Sequence, residues 1–346
     1  MTIKSMLCKL CHGDGILRYS GHPGYIYNSR YDIYECKKCG ASFIFPMDIQ
    51  KEEYDLIYSH AEYLPGYDKY YYISKRIRES DEPLHDLMNY GEEYAFIARR
   101  LMKTAKKCDR VLEIGCGLGY LTYALRKEGY DVKGVDISMI SIKQALELYG
   151  PYYECCDITE KYEKEKGVYK YIILSEVIEH VKDPISFLRK MKYMLTEEGV
   201  ILLTTPNKTA FPKNSLWMTD APPIHLWWFT EKSVVAIAKK AALKATLFKG
   251  YVSDKISYHY WKKQEDLTIP VFVPKFDNGG KLLKTEEVYE IRADKKSIMR
   301  HIYAKYMPEI SRKSMITVRN MLFETQKTNC RCTMLVEVKN VKQKDE

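Results

Sequence analysis

The sequence predicts an α/β fold: a doubly wound, mostly parallel sheet behind a small cysteine-rich module and a helical stretch. Three observations predict it. Short apolar strands alternate with amphipathic helices from about residue 111 onward. A glycine-rich turn, Gly115-Cys116-Gly117-Leu118-Gly119, joins the first of these strands to the next helix. Four of the ten cysteines stand as two Cys-x2-Cys pairs near the start.

Composition bounds the classes. The chain has 346 residues, 46% hydrophobic and 29% charged, values of a globular protein with a sizeable core. That length holds two domains, or one domain with a large appendage. Whole-chain disorder and a disulfide scaffold are excluded. No run reaches the roughly 18 apolar residues of a membrane helix, and no signal-peptide pattern precedes the cysteines. A soluble, cytoplasmic, reducing setting is therefore expected. The net charge of +9 is mild, and the 30 tyrosines do not by themselves place a site.

Residues 1–45 read as a zinc ribbon. Each Cys-x2-Cys turn brings two thiolates to one side, and two such turns make a tetrahedral sulfur site that favours zinc. The predicted ligands are Cys8, Cys11, Cys36 and Cys39, with His12 an alternate and 26–33 a hairpin arm. A closed shell of four sulfurs leaves no open position, so the metal is expected to be structural. It holds together a module too small for its own core. Cys330 and Cys332 are a weaker pair and stay unassigned. Cys108, Cys155 and Cys156 read as buried small hydrophobes.

Residues 46–100 read as a helical linker or lid. Asp48, Glu52, Glu53 and Tyr54 open one segment, and 90–107 forms another. Tyr58, Tyr63 and Tyr67 are candidates for binding a polar substrate; an amphipathic packing layer is the alternative. The sheet follows, with strands at 111–114, 131–135, 152–156, 169–174 and 200–204. Helices lie between them at 120–127, 138–148 and 184–194. A helix at 231–243, a strand at 246–252 and a final strand at 333–341 close the domain, 101–346. Residues 253–330 form an insertion too long for a simple connection. It is read as a substrate cap or a homodimer contact.

The acids at the strand ends define the ligand. Glu113 precedes the glycine turn, and no basic residue lies within it. A carboxylate there suits a ligand bearing an ammonium, not a pyrophosphate. Asp136 can accept two ribose hydroxyls, and Asp157 can face an adenine amino group.

With these residues in place, the stretch 101–229 resembles the class I S-adenosylmethionine-dependent methyltransferases. The likeness rests on the Glu113–Gly119 loop, Asp136, Asp157, the run Ser175-Glu176-Val177-Ile178-Glu179-His180-Val181 with Asp183-Pro184, and Thr205-Pro206-Asn207. It implies a Rossmann-like, seven-stranded sheet. It also implies cofactor contacts from Glu113, Gly115, Cys116, Gly117, Gly119, Tyr120, Asp136, Ile137, Asp157, Ile158, Ser175 and Glu176. The cysteine pairs ahead of such a domain, and 220–230 after the fifth strand, resemble the methyltransferases of bacterial polysaccharide, deoxysugar and natural-product biosynthesis. The chain departs from the C-methylating deoxysugar branch in its length and C-terminal region.

His225, His180 and Glu176 are the candidate catalytic residues. Both histidines follow strands at the sheet edge where open α/β folds place ligands, and an imidazole can take a proton near neutral pH. The structural alternative is that each braces its loop. Trp227 and Trp228 are expected to stack on a sugar or adenine, or to pack. The expected acceptor is a small molecule, a hydroxyl of a sugar or sugar-linked metabolite. Two alternatives remain: a nucleic-acid methyltransferase with the ribbon as reader, and a non-catalytic assembly protein that keeps the cofactor.

Overall fold

The computed structural model describes residues 6–47, 51–64, 67–210, 222–248, 274–283 and 333–341. The N-terminal strands are β1 (Met6–Leu7), β2 (Asp14–Pro23), β3 (Arg30–Cys36) and β4 (Ser42–Phe45). Each pairs antiparallel with the next. The expected arm at 26–33 is half turn and half strand, because β3 begins only at Arg30.

The segment expected as a linker or lid holds α1 (Lys51–Ser59), α2 (Asp68–Arg78), α3 (Pro83–Leu87) and α4 (Glu92–Thr104). The α/β domain then runs β5 (Arg110–Ile114), α5 (Tyr120–Lys127), β6 (Asp131–Asp136), α6 (Met139–Tyr149), β7 (Tyr153–Cys155) and α7 (Ile158–Lys161). It continues with β8 (Tyr169–Ser175), α8 (Pro184–Met194), β9 (Leu195–Pro206), β10 (Trp227–Trp228), α9 (Glu231–Lys240), β11 (Leu243–Leu247) and β12 (Thr333–Asn340). Among the described residues these give a seven-stranded sheet of order β11-β12-β9-β8-β5-β6-β7. Strands β5 to β9 pair in parallel, and β12 runs antiparallel between β9 and β11. The doubly wound, mostly parallel sheet is as the alternation indicated, but β11 spans Leu243–Leu247 where a strand was expected at 246–252. Helix α9 ends three residues earlier than expected, because Ala242 adopts φ +56° and turns the chain directly into β11.

Both sheet faces are buried, and side chains alternate between them. Ile172, Leu174, Ile201 and Leu203 face one core, while Tyr171, Ile173, Val200 and Leu202 face the other under α2–α6. The first core is continuous with the ribbon: Tyr34, Phe43 and Ile44 pack in the same cluster as Leu226, Trp227 and Phe229. A third cluster joins Tyr25 of the ribbon, Ile57 and Leu64 of the lid, Ile224, and Phe276 from the expected insertion. Residues 274–283 thus pack on the ribbon and lid, with Phe276 donating its backbone N–H to Tyr25. The rest of 253–330, with Cys330 and Cys332, lies outside the described residues. Cys108 is exposed and Cys155 and Cys156 half-buried, so the expectation of buried thiols fails there. Cys108 sits in the turn before β5, outside the sheet core.

Gly119 shows how closely the glycine turn fits. Its φ is +81°, and a Cβ would stand 2.6 Å from the Tyr153 ring and 2.8 Å from Ala145. Both the left-handed backbone and the overlap oppose a side chain. Gly119→Ala is expected to lower stability by about 2–4 kcal/mol, read by urea unfolding. A loss under about 1 kcal/mol would mean that the turn relaxes freely.

Candidate active site

A cavity of about 890 Å³ opens at the carboxyl ends of β5, β6 and β8, between the sheet and the lid. Such a crevice is where open α/β sheets bind ligands. Of the twelve residues expected to touch cofactor, all but Gly119 line it. Gly119 instead fixes the turn, with its carbonyl accepting the Tyr153 hydroxyl at 2.7 Å.

The glycine turn forms a cradle. Gly115 and Gly117 have φ of +72° and +50°. A Cβ at Gly115 would meet Val177 at 2.6 Å, whereas nothing lies within 4 Å of one at Gly117. Asp136 ties this turn to the next strand. One carboxylate oxygen accepts the Gly117 N–H and the other the Ser138 N–H, both at 2.8 Å. Each oxygen keeps a further lone pair for a hydroxyl of a ligand. Burial raises the Asp136 pKa, opposed by the Ser138, Gly117 and Ile137 N–H groups. Asp157 caps α7 by accepting the Thr159 N–H at 2.8 Å and is exposed to the cavity.

Glu113 lies under the turn, 3% exposed, accepting the Thr122 hydroxyl at 2.5 Å. Burial pushes its pKa up to about 8. Without a cation nearby the carboxyl therefore keeps its proton at neutral pH. The sign follows by linkage. A raised carboxyl makes the ligand-free fold lose stability as pH rises from the ordinary carboxylate range through about 8. A ligand ammonium at this end of the cavity favours the ionised form, so its binding releases a proton. Binding of S-adenosylhomocysteine, measured by calorimetry, is expected to tighten between pH 6.5 and 8, and Glu113→Gln to flatten that dependence. A flat profile for the unaltered protein would break the link between Glu113 and the ammonium.

The cavity is also lined by Glu176, His180 and His225. Glu176 follows β8 directly, at φ +55°. His180 Nδ1 donates to the Ile224 carbonyl at 2.7 Å. A carbonyl only accepts, so whenever the ring is neutral this bond leaves Nε2 as the acceptor nitrogen. That Nε2 lies 3.9 Å from Glu179 Oε1. Glu179 is 1% exposed, and its other oxygen accepts the Thr205 hydroxyl at 2.9 Å. His225 stands edge-on to His180, with ring centroids 4.7 Å apart. Burial lowers its pKa to about 3, which corrects the expectation that it is a proton acceptor matched to neutral pH. Glu179, His180 and His225 also bring one donor atom each within 4.8 Å of one another, a carboxylate-and-imidazole set suited to a divalent cation.

The acceptor-binding expectations divide. Tyr58 and Tyr67 line the cavity. Tyr63 does not: it is 70% exposed, at the end of a single helical turn whose Ala61 does line the cavity. Trp227 and Trp228 are 0% and 2% exposed and form β10, so neither can stack on a ligand. Their apolar faces are used in joining ribbon to domain. Tyr94, which the sequence did not single out, joins Tyr120 in the lining of the cavity. Their hydroxyls meet at 2.6 Å at the cavity wall, with Glu93 and Lys69 beside them. Tyr94 lies in an ordinary amphipathic helix, and no local pattern marks it.

The cysteine site forms as expected. Cys8, Cys11, Cys36 and Cys39 are buried, with sulfur atoms within 4.8 Å of one another. The Cys11–Cys36 and Cys8–Cys39 separations are 3.3 and 3.9 Å, close to the roughly 3.8 Å tetrahedron edge set by Zn–S bonds of about 2.3 Å. The donor set fits zinc. Among the described residues all cysteines are free thiols, and no helix is long and apolar enough to cross a membrane.

Comparison with known proteins agrees with this geometry. A family model described as a methyltransferase domain matches residues 88–246. The ubiquinone biosynthesis O-methyltransferase of Bordetella avium is 32% identical over 114 residues, covering 31% of this chain and 46% of that protein. The mitochondrial enzyme of the same name from Homo sapiens is 31% identical over 143 residues, covering 37% and 38%. The chain thus spans about half or less of the length of these relatives. Among solved structures, a SAM-dependent methyltransferase from Archaeoglobus fulgidus aligns with 72% of this chain and 95% of its own, at TM-score 0.42 and 17% identity. The matched stretch, with its glycine turn and seven-stranded sheet, is thus similar to a methyltransferase domain.

Proposed function

We propose that the chain transfers a methyl group from S-adenosylmethionine to a hydroxyl of a small, ring-shaped molecule. The supporting observation is a cavity lined by the glycine cradle and its acids together with His180 and His225, with Glu179 grouped beside the two imidazoles. Bound there, S-adenosylmethionine supplies an electrophilic methyl group on a sulfonium. Asp136 and Asp157 are assigned to the ribose and adenine, and Glu113 to the ammonium end. His180 takes the hydroxyl proton at Nε2, with Nδ1 held by Ile224. Glu179 supports the imidazolium that results. Much of the remaining effect is the holding of two reactants together away from water.

Oxygen as the acceptor atom is supported by the relatives, whose names state O-methyl transfer. The tyrosines at 58, 67, 70 and 71 offer flat apolar faces with polar tips, which suits a ring bearing hydroxyls. A sugar keeps these tyrosines as a platform but loses the two tryptophans. The use of the ribbon's Phe43 and Cys39 against the domain favours a metabolite over a nucleic acid. The test is a screen with methyl-labelled cofactor against hydroxylated aromatics, nucleotide sugars and RNA. Label on a small-molecule oxygen supports the proposal. Label on RNA, or cofactor binding without transfer to any pool, overturns it.

The grouping of Glu179, His180 and His225 favours a second reading of the same step. A divalent cation held by this trio would polarise the acceptor oxygen and replace the base. Activity that falls at least tenfold on chelation and returns with Mg²⁺ or Mn²⁺ would select this reading over His180 as base.

A further inference from the structure

We propose that the cysteine module is a positioning element for the acceptor end of the cavity, acting through Phe43 and Trp227. The inference rests on the reading that His180 and His225 face the acceptor. Strand β10 is two residues long, and such a piece has no stability alone. It exists as the last strand of the ribbon sheet, with Trp227 opposite Phe43 and Trp228 opposite Ser42. Ile44 donates its N–H to the Leu226 carbonyl at 3.2 Å.

The opposite side of this short segment grips the catalytic group. Leu226 donates its N–H to the Glu179 carbonyl at 3.0 Å. Ile224 accepts from His180 Nδ1 at 2.7 Å, and the Trp227 indole donates to the Val181 carbonyl at 2.9 Å. Residues 224–228 therefore lie between the ribbon and 179–181, with His225 inside the segment. A line of rings crosses the junction: Tyr34 to Phe43, Phe43 to Trp227 and Trp227 to Phe229, at 5.8, 5.6 and 6.0 Å.

Further ties end on the cysteine turn itself. Thr230 donates its hydroxyl to the Cys39 carbonyl at 2.7 Å. Lys208 reaches Glu35 at 2.6 Å and the Gly40 carbonyl at 3.0 Å. Both β9's exit and β10's exit are thus pinned to the backbone that shapes the sulfur site. By contrast, Asp136 and Asp157 take their hydrogen bonds from the sheet edge: Gly117, Ser138 and Thr159. Loosening the ribbon should therefore disturb the histidines and spare the cofactor end.

The test uses the full chain loaded with zinc and two readouts that need no acceptor. These are calorimetric affinity for S-adenosylhomocysteine and the imidazole ¹⁵N resonances of His180 and His225, assigned from His180→Gln and His225→Gln. Phe43→Ala opens a void against Trp227, Phe43→Leu refills most of it, and Lys208→Met cuts one tie without touching the rings. Phe43→Ala and zinc removal are expected to shift or broaden both resonances while affinity changes less than threefold. Phe43→Leu should restore the resonances. With an acceptor from the screen, Lys208→Met should raise KM or lower kcat at least threefold at unchanged cofactor affinity. If Phe43→Ala does not fold, Lys208→Met carries the same comparison. Unchanged histidine resonances after zinc release, or equal loss of cofactor affinity, would overturn the proposal. Absence of any methyl acceptor would defeat the proposed activity and leave this comparison intact.

Discussion

Replacing Asp136 with alanine is expected to weaken S-adenosylhomocysteine binding about 100-fold in calorimetry. The carboxylate stands at the end of β6 with its two oxygens directed to Gly117 and Ser138, each with a lone pair to spare. Two hydrogen bonds from ribose hydroxyls to a charged acceptor contribute roughly 1.5 kcal/mol each or more. The substitution also releases the Gly117 N–H, so the cradle loses one of its anchors. Asp136→Asn separates the two effects. It keeps one acceptor oxygen and the shape, and should weaken binding about tenfold. Unchanged affinity for Asp136→Ala would remove the residue from the cofactor site.

That residue was legible in the sequence because its position is set by local rules. A buried strand, a glycine turn and an acid at the end of the next strand have fixed spacing, so Glu113, Gly117 and Asp136 meet wherever the fold forms. The cysteine pairs were legible for a similar reason, since each turn is a local structure and the two require one another. For Trp227 and Trp228 the packing alternative holds over stacking on a ligand, and Tyr63 lies off the cavity, because their environment is decided by distant packing. Nothing within the run Leu226-Trp227-Trp228-Phe229 says that it joins a sheet begun at residue 6. Only the pairing with Phe43 and Ser42 turns two aromatic residues from a surface into core.

The histidines show the same limit in electrostatic terms. Sequence placed both at the carboxyl edge of the sheet, and both line the cavity. It could not rank them, because basicity depends on burial. His225 is 6% exposed and its pKa is lowered to about 3 by desolvation alone. His180 keeps one ring edge toward the cavity and has its tautomer set by a carbonyl 44 residues away in sequence.

His180→Ala should accordingly give the largest kinetic effect. Loss of a positioned base lowers turnover by about 10²–10⁴-fold, while affinity for S-adenosylhomocysteine should stay within about twofold, since the cradle is held from the other end. Alanine also removes the bond to Ile224 and so loosens the segment bearing His225. His180→Asn is the needed control, because its amide N–H can still reach that carbonyl. If Nε2 is the base, asparagine is as slow as alanine. If asparagine restores turnover, the ring serves only to brace the loop, and proton removal passes to another group or to a bound cation. The two nitrogens of this one imidazole have separate tasks. Nδ1 is committed to the fold, and only what Nε2 does can separate chemistry from support.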